Sequence, residues 1–429
     1  MSLSNISLSK IFNSYFLEII FILLLFIFSC YFYQSFFFNF ATSNYAYNEL
    51  FINYHSGFIR RGLLGEIFFK LNSIFNLNHR LFFGLLFAVL YTIKIMLFYI
   101  ILRKIRDFKI LIIFISFSPA LLLFPIYDTN TYFVKDVFIK LSILIHAIII
   151  LSYNKDLEKY SIFLKYLILP LLFMNILFIH EYQILFIFVH ILFTLYFNNK
   201  NKIICKYNLK YYLILIIPFI LVTIFIGNIS HYQNLNKFLI DYNIQIHQQI
   251  GLGFKGLFGG FYKWHFYYFS YKDFIQLLLS FFLSVFCFYL LFHYLIINKI
   301  IIIGDKIKRI YILFFIPTLT IFLNTDHGRN LSLLSTHLVI FYLILDLKIN
   351  NLKIFFKKIE NNFLIINFIY IFIFIYLFLW TLPQNAGFGG KEQINNIFRS
   401  SIFSEVIKAI KFIYYFVDKN IIVLPEIKL

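Results

Sequence analysis

The chain has 429 residues, 61% of them hydrophobic, 22% aromatic and only 13% charged, with a formal net charge of +19. A soluble domain of this length has no interior large enough for 62 Phe and 32 Tyr, so composition excludes a water-soluble enzyme. The basic excess does not indicate nucleic acid, because it falls into short clusters between apolar runs.

Apolar runs of about 18 or more residues recur along the chain and predict an all-α, polytopic transmembrane helical bundle. The first run, 15–37, lacks a small-residue cleavage site and is read as a retained span. The others are 81–102, 110–127, 137–153, 161–179, 182–197, 211–229, 274–297, 310–323, 331–347 and 363–380, giving about 11 spans. Lys and Arg are about threefold denser in the N-terminus and in 103–109, 154–160, 198–210, 298–309 and 348–362 than in the other connections. These clusters mark the cytoplasm, so the N-terminus is inside. Two large extracytoplasmic loops follow, 38–80 and 230–273. Residues 161–197 are broken only by "HEY", and both flanks are lysine-rich, so the chain must turn at His180–Glu181 on the outer face. Residues 1–380 read as one membrane domain. The tail, 381–429, is extracytoplasmic or interfacial, with Phe403, Val406, Ile410, Ile413 and Val417 on one side.

On this topology, mixed acids, bases and histidines line one rim. They are Arg60, Arg61, Glu66, Asp128, Lys135, Asp136, His180, Glu181, Asp326, His327 and Arg329, with His231, Asp241, His247, Lys263, His265 and Asp273 in the second large loop. Ionisable groups at membrane depth are costly and point to a polar site. In "GFIRRGLLGE" the helical pattern predicts a short helix from near Gly57, with Glu66 and Lys70 paired at i, i+4. Arg60 and Arg61 then stand in its first turn, where a cation opposes the helix dipole unless an anion binds there. A phosphate or pyrophosphate fits that arrangement; so does a pair reaching to lipid headgroups.

Glu181 or His180 is placed to accept a proton from a sugar hydroxyl, and capping of the turn is the other reading. Asp326 and Arg329 are three apart and can pair with each other. Asp128 and Asp136 give only thin support for a metal. Glycines and aromatics around Lys263, Trp264 and His265 suit a glycan face or an aromatic belt. Lys94, Lys140 and Lys165 are long enough to snorkel. His146, His190, His293 and His337 read as core or helix-end residues. Cys30, Cys205 and Cys287 stand singly, with neither a disulfide framework nor a metal pattern, so no metal and no cofactor is expected.

A basic, Phe/Ile/Tyr-rich chain with this span count and two enlarged outer loops resembles the O-antigen polymerases of bacterial surface-polysaccharide clusters. The resemblance is one of architecture and composition. An Arg followed eleven residues later by Gly, found in some members, is absent: Arg60 leads to Leu71, Arg61 to Asn72 and Arg329 to Ile340. The resemblance implies a multi-pass protein of the bacterial inner membrane that joins repeat units carried on undecaprenyl pyrophosphate at the periplasmic face. Its partners would be that lipid-linked glycan, the bilayer and a polysaccharide chain-length regulator, with no nucleic acid. Arg60, Arg61 and Arg329 would hold pyrophosphate and Glu181 or His180 would take the proton. Asp326 would orient Arg329 or the acceptor, and Lys263, Trp264, His265 and Asp128 would grip the glycan. Two alternatives stay open: a polyprenyl-phosphate-sugar-dependent multi-span glycosyltransferase, and a transporter of lipid-linked oligosaccharide.

Overall fold

The computed structural model describes residues 15–37, 45–55, 61–127, 133–153, 156–180, 183–200, 210–224, 229–240, 242, 244, 271–302, 327–347, 349–378, 380 and 382. Over these residues the regular structure is helical, apart from one two-residue antiparallel pair, Ile301–Ile302 against Asp346–Leu347. The expected span 310–323, most of loop 230–273 and the tail beyond 382 lie outside the described residues.

Helix α1 is Phe16–Phe37. A short α2, Tyr45–Asn48, runs into a tight turn, Glu49–Phe51. Helix α3 is Leu63–Phe75 and α4 is His79–Leu102. The start of α4 is set by Asn78, whose side chain accepts from the backbone N–H groups of Arg80 and Leu81.

The apolar stretch 110–127 is two short helices, α5 (Lys109–Ser116) and α6 (Phe124–Tyr127), joined by a turn. Pro119 and Pro125 explain the break, since neither supplies a helical N–H. The turn is buried, and irregular backbone at membrane depth is tolerated only inside protein or against a cavity.

Helix α7 is Asp136–Ser152. The rod α8 (157–179) alternates α-helix with two wider π-turns, Leu164–Ile168 and Asn175–Ile179. Helices α9 (Gln183–Lys200), α10 (Ile216–Ile224) and α11 (Ile229–Ile240) follow. The rod α12 (271–297) carries a π-turn at Phe282–Phe286. Close by, the Ser335 hydroxyl approaches the Ser284 carbonyl at 2.9 Å. Last come α13 (His327–Ile344), α14 (Ile349–Glu360) and α15 (Phe363–Phe378).

Among the described residues, three helices are long and apolar enough to cross a membrane: His79–Ile105, Glu158–Ile179 and Phe274–Ile297. Burial agrees with a lipid surrounding. Large apolar side chains such as Ile22, Val89, Leu213 and Leu364 face outward, whereas α13 is buried at every position.

Contacts fix the helix directions. Asp136 meets Arg329 and Lys140 meets Ser332, so α7 and α13 run parallel. Ser142 meets Gln183 and His146 meets His190, so α9 runs with them. At the far end the Lys104 ammonium donates to the carbonyls of Leu343 and Ile344, closing the C-terminus of α13. Lys353 pairs with Asp107 at 3.2 Å, and Asn351 donates to the Lys299 carbonyl. Three of the basic clusters therefore meet at one end of the bundle, opposite the starts of α7, α9 and α13.

Candidate polar site at one end of the bundle

The site is built on the first residue of α7. Asp136 has an acid's favourable place at a helix start. It faces Arg329 in the first turn of α13, whose Nε and Nη2 donate to its two carboxylate oxygens at 3.0 and 2.9 Å. This fork-on-carboxylate geometry is the strongest form of the pair. His180 ends the π-turn of α8, where its backbone N–H donates to Asn175 five residues back. That wider turn delivers its Nε2 to 3.3 Å from both Asp136 Oδ1 and Arg329 Nη2. With a proton on Nε2 the imidazole donates to Asp136; without one it accepts from Arg329. All three side chains are buried.

One turn along α7, Lys140 donates to Ser332 of α13 at 2.7 Å. The two helices thus face each other through two rungs, Asp136–Arg329 and Lys140–Ser332. The spacings i, i+4 and i, i+3 keep both rungs on one face.

A second buried group adjoins the first through the chain itself. Lys135, the residue before Asp136, donates to the carbonyls of Glu49 and Arg61 at 3.0 and 2.7 Å. The Arg61 Nη1 lies 3.0 Å from each Glu49 carboxylate oxygen. Arg61 has a left-handed backbone, φ 64°, which costs a non-glycine residue about 1–2 kcal/mol. Its carbonyl and its guanidinium are both held, which is how such a conformation persists. The helix therefore starts at Leu63, after Gly62, and not near Gly57 as the sequence pattern suggests. A Cβ on Gly62 would strike the Tyr54 ring, and one on Gly65 would strike the Ile52 carbonyl. The glycines let α3 lie against the 51–54 segment. The Tyr54 N–H donates to Glu66 Oε2, and Glu66 Oε1 pairs with Lys70. Burial and the Glu66 carboxylate push the Tyr54 phenol above its usual range, and burial does the same for Tyr47.

The structure thus brings His180 and Arg329 together and ties Arg61 to them through Lys135 and Asp136. The Arg61 guanidinium is engaged by Glu49. Arg329 pairs across helices with Asp136, where the sequence offers Asp326 as a neighbour. Arg60, Asp128, Glu181, Lys263, Trp264, His265 and Asp326 lie outside the described residues. Among the described residues no cluster of His, Cys, Asp or Glu could hold a metal.

Comparison with protein-family models, curated proteins and solved structures finds no match.

Sequence reading missed two features. Lys94 and Lys140 do not snorkel: both are buried, whereas Lys165 is exposed. A polar axis also continues away from the rungs. His146 Nδ1 lies 2.9 Å from His190 Nδ1, and His146 Nε2 lies 3.1 Å from the Tyr160 hydroxyl. Tyr160, Thr194 and Tyr212 then follow at 2.9 Å steps. Burial of His146, His190 and His337 agrees with their reading as core residues. Their linkage depends on which helices become neighbours, which no local pattern encodes.

Proposed function

We propose that the chain is a multi-pass protein of the bacterial inner membrane, with about 11 spans and a cytoplasmic N-terminus. On this reading it polymerises lipid-pyrophosphate-linked oligosaccharide repeat units at the periplasmic face. The observation that carries the reading is the Asp136–His180–Arg329 group, placed at the end of the bundle opposite the lysine-rich clusters. Basic clusters favour the cytoplasmic side, so the site falls on the outer one.

The residues have distinct tasks in the transfer. An acceptor hydroxyl oxygen attacks the anomeric carbon of the donor glycan. The bond from that carbon to the pyrophosphate oxygen breaks, and the lipid pyrophosphate leaves with the electron pair. His180 takes the hydroxyl proton, and Asp136 orients the imidazole and offsets the charge it gains. Arg329 and Lys140 stabilise the negative charge gathering on the leaving group, a role fixed cations fill best in a site shielded from water. Arg60 adds to the pyrophosphate contacts, while Arg61 with Glu49 and Lys135 holds the loop. Glu181 and Asp326 keep their assigned roles as a second proton acceptor and an orienting acid. Lys263, Trp264, His265 and Asp128 would contact the glycan.

The test is the length distribution of surface polysaccharide in cells carrying His180→Ala, Arg329→Lys or Arg60→Ala. Collapse to single repeat units, with protein levels maintained, supports the reading; unchanged chain length in all three contradicts it. Single-sugar products instead of polymers would favour the polyprenyl-phosphate-sugar transferase.

One observation favours transport as a second reading. Buried polar side chains continue from Asp136 through Lys140 to His146, Tyr160 and Tyr212, along the bundle and not only at its rim. Polar residues along a path are the mark of a conduit. Movement of lipid-linked oligosaccharide across vesicles with no new glycosidic bond would select it.

A further inference from the structure

Lys94 lies in the middle of α4 and is only 1% exposed. Its ammonium sits 4.7 Å from the Tyr91 ring centre and 5.6 Å from that of Phe28, and it has no hydrogen-bond acceptor among the described residues. Ring faces attract a charged ammonium but do not replace an acceptor. An uncompensated buried cation is strongly unfavourable, and an anion beside Lys94 would let the side chain keep its charge.

The surroundings show where the anion would sit. Lys94, Lys140, Asp136, Tyr91, Phe124 and Val137 wall one niche, with about 10 Å³ open to the centre of an oxygen-sized atom. That is room for a single such atom. Lys140 reaches the niche from α7, with its Nζ 5.3 Å from the Phe124 ring centre. Lys94, Lys140 and Arg329 make three cations around one carboxylate, Asp136, which Arg329 already engages on both oxygens. The start of α7 points the positive end of a long helix at the same place.

We propose that this niche is a subsite for one anionic oxygen of a phosphoryl group, with Lys94 and Lys140 as its donors. A halide would offset only one of the two excess charges. A phosphoryl group carries about −1.5 to −2 near neutral pH, which matches both. The subsite deepens the function proposed above and rests on it for the lipid carrier, whereas its phosphoryl chemistry does not depend on glycan transfer.

The test uses the full chain, purified in uncharged detergent and in neutral-lipid nanodiscs. The probes are inorganic phosphate, inorganic pyrophosphate, polyprenyl phosphate and, at matched ionic strength, chloride. Dissociation constants and thermal midpoints are measured for the natural chain and for Lys94→Met, Lys140→Met and, as an exposed control, Lys165→Met. The phosphoryl probes should bind and raise the midpoint, and chloride should not. Lys94→Met and Lys140→Met should each weaken phosphoryl binding at least tenfold, and Lys165→Met should match the natural chain. Lys94→Met without ligand should also melt at a higher temperature, which separates lost binding from misfolding.

Equal affinity for free and lipid-borne phosphate would support a soluble anion as the source, and a preference for polyprenyl phosphate would support a lipid headgroup. Binding to Lys94→Met within twofold of the natural chain would overturn the subsite, as would equal stabilisation by chloride. So would a natural chain that binds no phosphoryl probe, whatever the melting temperature of Lys94→Met. Polymer lost in His180→Ala with Lys94→Met binding intact sinks the subsite alone. Binding lost in Lys94→Met of a protein that makes no polymer sinks the transferase and leaves the subsite standing.

Discussion

Helices α13 and α15 reverse the usual rule of solubility. The segment of α13, HGRNLSLLSTHLVIFYLI, carries Arg329, Ser332, Ser335, Thr336 and two histidines, yet every position is buried. The segment of α15, FLIINFIYIFIFIYLF, has no charged residue, yet Leu364 is 78% and Phe368 70% exposed. Water would select the opposite arrangement. Lipid does not: apolar side chains lose nothing by facing hydrocarbon, and polar ones must find partners within the bundle. The difference shows that polar side chains in this fold act as cross-links between helices, and that the apolar ones chiefly set the surroundings.

Substitutions can break that contrast, and the largest effect should come from the pair. Asp136→Asn leaves a buried guanidinium opposite a neutral amide and should cost about 3–5 kcal/mol in the unfolding of the purified protein; a change within experimental error would mean that Arg329 is solvated. On the other helix, Ile371→Asp should cost about 2.5–3.5 kcal/mol in a membrane-insertion assay, because it puts a charge near the middle of an outward-facing apolar helix. If α15 faced water, the same substitution would be nearly silent. Ser332→Ala removes the acceptor of the buried Lys140 and should cost about 1–3 kcal/mol, read from the thermal midpoint. Ile371→Ala should be the mildest, below about 0.5 kcal/mol, since lipid fills the space that the side chain leaves; a loss of several kcal/mol would mean that Ile371 packs against protein.

The sequence made some of this legible and hid the rest. Runs of apolar residues announce helices, and Pro119 and Pro125 were in plain view inside a stretch expected to cross as one span. The short basic clusters were legible too, and three of them meet at one end. Asp136, His180 and Arg329 each stood out as ionisable residues between apolar runs. Their grouping could not be read, because Arg329 lies 193 residues from Asp136 and 149 from His180. Local spacing pointed instead to Asp326 for Arg329, and to a free Arg61 at a helix start where the fold supplies Glu49. Lys94 and Lys140 illustrate the same limit: snorkelling depends on what surrounds a lysine, and neighbouring helices close over both.

The most direct test of the account replaces both partners of the central pair, Asp136→Leu with Arg329→Met. A buried ion pair exchanged for apolar groups of similar size usually preserves or improves stability, so fold and function can be read separately. The account predicts a chain that folds and inserts as well as the natural one, yet yields only single repeat units of surface polysaccharide. Full-length polymer from a well-folded double variant would show that the pair holds helices together and nothing more.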